Sequence, residues 1–70
     1  MELERLMADY NKRLARYHKM EAWERNASHD DRIKFEQQII QAIDDCSKAL
    51  NRVQALRPVT TDEVINGFAI

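Results

Sequence analysis

Few side chains in this 70-residue chain belong to the types that do covalent or metal chemistry, and spacing decides what each can do. The single cysteine, Cys46, falls in an apolar stripe, and no basic residue adjoins it. In such surroundings a thiol keeps its proton and packs as a small hydrophobe. Ser28, Ser47, Thr60 and Thr61 have no histidine at a spacing that pairs with them. His18 and Glu21 stand three apart, and His29, Asp30 and Asp31 adjoin. Di-metal helical bundles, however, take a glutamate from each of two helices and a Glu-x-x-His pair from each of two others, and that pattern is absent. The ligand count of tetrahedral sites is not met either. Asp44 and Asp45, adjacent on a helix, point about 100° apart and share no proton. The expectation is a protein that is not an enzyme, with no catalytic, metal-binding or cofactor-binding residue.

A binding chemistry is better represented. Between Tyr10 and Met20 the chain carries Lys12, Arg13, Arg16 and Lys19 and no acid. Arg5, Lys12, Arg16 and Lys19 recur at spacings of seven, four and three, which sets them on one helical face. A cationic stripe flanked by Tyr10, Tyr17 and Trp23 suits phosphate contact with base stacking, so these four are the candidate nucleic-acid contacts. The competing reading is a solvated face, neutralised in the fold by Asp9 and, across a hairpin, by Glu36, Asp44 and Asp45. With 12 acidic and 11 basic residues, the whole chain has no bias toward nucleic acid or an anionic membrane. Nucleic-acid binding is therefore the alternative, and an interaction with another protein the leading reading.

The elements that must position these residues are helical. From Glu2 to Asn26 there is neither Gly nor Pro, and Leu3, Leu6, Met7, Tyr10, Leu14, Tyr17 and Met20 recur at spacings of three and four. This predicts a helix over about 2–26. Ser28 can cap a second helix whose first turn holds Asp30 and Asp31, favourable at the positive helix end. That helix is expected over about 29–56, stopping before Pro58. Ile39, Ile43, Cys46, Leu50 and Val53 form its expected seam, widened by Phe35, Ile40, Ala42, Ala49 and Leu56. A short connection makes the two helices an antiparallel hairpin, each roughly 35–40 Å long. In helix number and length this is similar to the Rop-type hairpin dimers, which bind RNA; the likeness is architectural and carries no residue over.

The second helix has more apolar surface than one neighbour can cover. A 70-residue chain buries only about 60% of its unfolded surface, and with one cysteine no intrachain disulfide can help. Self-association through Phe35, Ile39, Ile40, Ile43, Cys46, Leu50 and Val53 is the expected remedy, giving a homodimeric four-helix bundle of all-α class with residues 1–70 as one domain. Trp23, near the connection, is expected to pack under it.

The tail closes the pattern. Thr60 and Glu63 have capping-box spacing, and Gly67 suits a helix end, so a short helix is expected over about 61–66. Val64, Ile65, Phe68 and Ile70 are too apolar for a frayed end and are expected to dock, either as a lid on the open end of the bundle or as a hook for a partner. The charges in MELERLMADY and the absence of a long apolar run predict neither signal peptide nor membrane span, and the lone thiol suits a reducing compartment, so the expected location is cytoplasmic.

Overall fold

A computed structural model describes residues 1–70 as three helices and no strand: α1 (Glu2–Asn26), α2 (His29–Gln54) and α3 (Thr61–Asn66). The α1–α2 connection is short because both ends are capped within it. Ala27 turns extended, with φ −81° and ψ 150°, and Ser28 accepts the Asp31 N–H at 3.3 Å. Arg32 reaches back from the first turn of α2, its Nε donating at 3.0 Å to the Glu24 carbonyl, which also accepts the Ala27 N–H at 3.2 Å. Trp23 meets Phe35, Arg13 meets Asp45 and Asp9 meets Arg52, so numbers fall along α1 as they rise along α2. The pair is an antiparallel hairpin, 43 Å in its longest dimension.

α2 stops at Gln54, two residues short of the expected 56. Pro58 disfavours helical geometry at Arg57, and the chain tightens: the Leu56 N–H and the Arg57 N–H both turn to the Val53 carbonyl, at 2.9 and 3.0 Å. Leu56 is thereby carried out of the core and is 54% exposed.

The core lies at the open end of the hairpin. Tyr10, Leu14, Ala49, Val53 and Phe68 form it, with Leu3, Leu6, Met7, Cys46, Leu50 and Val59 packed around. Its inward line on α2 is Ala42, Ala49 and Val53, a seam rotated from the expected Ile39, Ile43, Cys46, Leu50 and Val53. The reason is steric: the small side chain at 49 gives Tyr10 and Leu14 of α1, which share its cluster, room to sit between the helices. The bulkier isoleucines are displaced to the flanks.

Phe68 completes this core from outside the hairpin. Its ring meets Tyr10 edge-on, centroids 5.4 Å apart, and the Arg57 guanidinium lies over its other side at 5.6 Å. Its backbone is clamped by one side-chain amide: Asn11 Oδ1 accepts the Phe68 N–H at 2.7 Å, and Asn11 Nδ2 donates to the Phe68 carbonyl at 2.8 Å. Tyr10 O–H donates to the Val64 carbonyl at 2.6 Å, satisfying a phenol that is otherwise buried. The Thr60–Glu63 capping box holds α3 in shape, and Glu63 also pairs with Arg57 at 3.0 Å. Gly67 is required twice over: its φ is +88°, and a Cβ there would lie 2.7 Å from Asn11 Oδ1. Of the tail's expected docking residues, Phe68 is buried and Val64 half-buried, whereas Ile65 and Ile70 are 57% and 67% exposed.

Removing a buried phenylalanine side chain costs about 3 kcal/mol or more, and in a domain this small each kcal/mol moves the melting temperature by roughly 4–8 °C. Phe68→Ala is therefore expected to lower the melting temperature by more than about 10 °C, with a chain ending at Arg57 destabilised at least as much. Thermal unfolding followed by circular dichroism is the measurement; an unchanged melt in both would contradict the described core.

Candidate interaction surface

Burial within the chain divides the expected self-association residues. Val53 is fully buried and, with half-buried Cys46 and Leu50, is packed at the core, so Val53 has no surface left for a partner. Phe35, Ile40 and Ile43 remain outside, 36%, 50% and 46% exposed, with Ile39 half-buried between the lines. Ile33 joins them at 58% exposed. It was missed because it lies in the polar first turns of α2; its spacing of seven from Ile40 was the available signal.

Of these residues, Ile43 borders one hollow and Phe35 and Ile39 a second, while Ile33 and Ile40 line a third beside Glu24 and Arg32. On the face that carries α3, Tyr17, His18, Glu21, Ile43, Ser47 and Ile65 are among the residues around a depression of about 410 Å³. α3 fills only the open-end part of this face, and the depression marks where it stops. A second cleft of about 330 Å³ is lined by Lys19, Met20, Trp23, Phe35, Gln38 and Ile39. Trp23 stands at its edge, packed edge-on against Phe35 with centroids 5.1 Å apart but still 42% exposed. The connection does not cover it, since two residues between capped helices are too few to reach over an indole.

Arg5, Lys12, Arg16 and Lys19 are all exposed, and none takes part in an ion pair. The acidic company expected for this face goes to Arg13 and Arg52 instead. Arg13 meets Asp9 at 3.0 Å and Asp45 at 3.9 Å, while Arg52 reaches Asp9 at 3.7 Å. Lys48 takes Asp44 at 2.9 Å. Such half-exposed pairs contribute about 0–1 kcal/mol each and serve to fix register more than to stabilise.

Burial pushes the Cys46 thiol up, Asp45 adds to the shift, and Arg13 opposes it weakly. His18 leans on the Tyr17 ring, 6.2 Å between centroids. No group of three or more His, Cys, Asp or Glu side chains is placed to hold a metal ion, and no helix is long and apolar enough to cross a membrane. No family model matches the chain, and no curated protein or solved structure matches it. The surfaces themselves carry the functional reading.

The thiol's raised pKa has a measurable outcome. Because the thiolate is the reactive form, Cys46 in the folded protein is expected to react with a disulfide reagent at neutral pH more slowly than in urea, the gap narrowing only above the ordinary thiol value near 8.5. A rate equal to that of the unfolded chain would place the sulfur outside its apolar surroundings.

Proposed function

We propose that this chain is a small non-enzymatic interaction module that self-associates as a homodimeric helical bundle and offers its remaining surface to another protein. One observation carries the reading: Ile33, Ile40, Ile43 and Ile65 are each about half exposed or more, on faces that nothing in the chain covers. Ile33 and Ile40 line one hollow and Ile43 and Ile65 another, and apolar groups gathered at hollows support an interface reading. The small core, with six of 70 residues buried, adds a reason for association, since it leaves little stability to spare. Sedimentation equilibrium is expected to give a dimer at micromolar concentration, and Ile43→Glu a monomer of unchanged helicity, since position 43 lies outside the core. A cooperatively folded wild-type monomer at that concentration would overturn the self-association reading.

The second reading, a nucleic-acid-binding regulator, is favoured by the four cations on α1 that no carboxylate neutralises. With so few contacts and a net charge of −1, binding is expected to be weak at physiological salt. A titration with single-stranded and duplex RNA and DNA at several salt concentrations decides between them. Tight binding whose logarithm falls by roughly 0.7–0.9 per neutralised phosphate against log salt, and which Lys12→Glu/Arg16→Glu abolishes, would promote the second reading. An affinity pull-down with and without nuclease separates the same two partners in the cell.

A further inference from the structure

Ile33, Glu36, Ile40, Ile43, Ser47 and Leu50 follow one another at spacings of three, four, three, four and three, the repeat that keeps a helical line against a partner helix. This line is distinct from the inward line of Ala42, Ala49 and Val53 and touches the core only at half-buried Leu50. Its order of types is apolar, polar, apolar, apolar, polar, apolar, which reads the same in both directions about a point between Ile40 and Ile43. We infer that α2 pairs with α2 of a second copy, antiparallel, along this line. The inference rests on the self-association reading above and adds to it the surface, the direction and the register.

Antiparallel pairing about that point sets Ile40 against Ile43, Ile33 against Leu50 and Glu36 against Ser47 of the other copy, each twice by symmetry. Every apolar group meets an apolar group, and the one carboxylate meets a hydroxyl that can donate to it. On the outer flank, Asp44 lies diagonally across from Gln37, and Asp30 from Asn51, two positions off the level of the central pairs, a carboxylate near an amide in both cases. A parallel pair in register would instead place Glu36 against Glu36, two like charges in a desolvated seam, which is destabilising.

The line is roughly 26 Å long at 1.5 Å per residue, within the 43 Å length of the molecule. α3 covers the open-end half of its own groove, beside Leu50, and antiparallel pairing brings the uncovered half of the second copy, at Ile33 and Ile40, alongside it. The exposed Ile65 of α3 then borders the junction.

Disulfide trapping reads the direction. In a Cys46→Ala background, one chain carries Glu36→Cys and a second, tagged for mass, carries Ser47→Cys; both positions are exposed, and circular dichroism checks that each folds. Antiparallel pairing brings 36 and 47 together while holding 36 and its own copy about 16 Å apart, far beyond the ~7 Å Cα limit for a disulfide. Oxidation of the mixture is expected to give the mixed species at least tenfold over either self-pair. Self-pairs at 36 would mean parallel pairing, and a sedimenting dimer with no cross-link at all would mean another surface; both overturn the inference and leave self-association standing. A monomer removes both. Ser47→Lys, which leaves Cys46 untouched, is a second arm: opposite Glu36 it is expected to tighten the dimer severalfold at low salt, whereas a weaker or unchanged dimer contradicts the register.

Discussion

The five-residue core of this molecule depends on the docking of Phe68. Two helices touching along one line cannot enclose a side chain on all sides; a third wall is needed, and the residues of lowest exposure are found where the tail supplies it. The docking is specific because it is polar as well as apolar. Asn11 treats the Phe68 backbone as a neighbouring strand would, giving and taking one hydrogen bond, and so fixes which residue enters the gap between Tyr10 and Leu14. An apolar tail without that clamp could slide by a residue; with it, the alternative positions leave a buried amide unpaired, at a cost of about 1–3 kcal/mol.

The same event organises the charges nearby. Arg57, just past the end of α2, reaches both the Phe68 ring and Glu63, so the turn after Val53, the capping box and the docked ring share one cation. The hydrogen bond from the Thr60 N–H to Glu63, aided by the Thr60 hydroxyl and by Arg57, holds the Glu63 carboxyl below the usual glutamate range against the opposing effect of burial. A carboxyl lowered in this way lends stability above its ordinary pKa and loses it as the pH falls through the folded value, which ties tail docking to the ionised state of one residue. At the other extreme, burial pushes the Tyr10 phenol up, with Cys46 adding to the shift, so the proton needed for its bond to Val64 is retained at neutral pH.

Much of this architecture could be read from the chain. The two long periodic segments, the Ser28 cap, the capping box at Thr60 and the left-handed glycine are local features, set by chemistry within four residues, and they appear where the sequence placed them. What could not be read were the outcomes of competition between neighbours. Ile43 and Ala42 both lie on the apolar side of α2, and it is the smaller side chain that faces in, 7% exposed against 46%. Asn11 looked like one more polar residue on α1, because nothing local tells an amide that its partner is 57 residues away. The basic face was expected to be neutralised across the hairpin, but which cation a carboxylate reaches depends on helix rotation by a few tens of degrees.

The uneven placement of the core divides the chain into a firm half and a loose half. From the connection to about Tyr17 and Ile43, the helices hold each other by one face, and Ala42 is the only residue there that is buried. Separation of the helices at that end parts Trp23 from Phe35 but leaves the five-residue core and the docked Phe68 in place. Local opening there need not wait for global unfolding, and its backbone amides belong to a less protected cooperative unit than those around Val53. The fold is thus anchored at its chain ends and free to breathe at its turn, the reverse of a hairpin that zips from the loop.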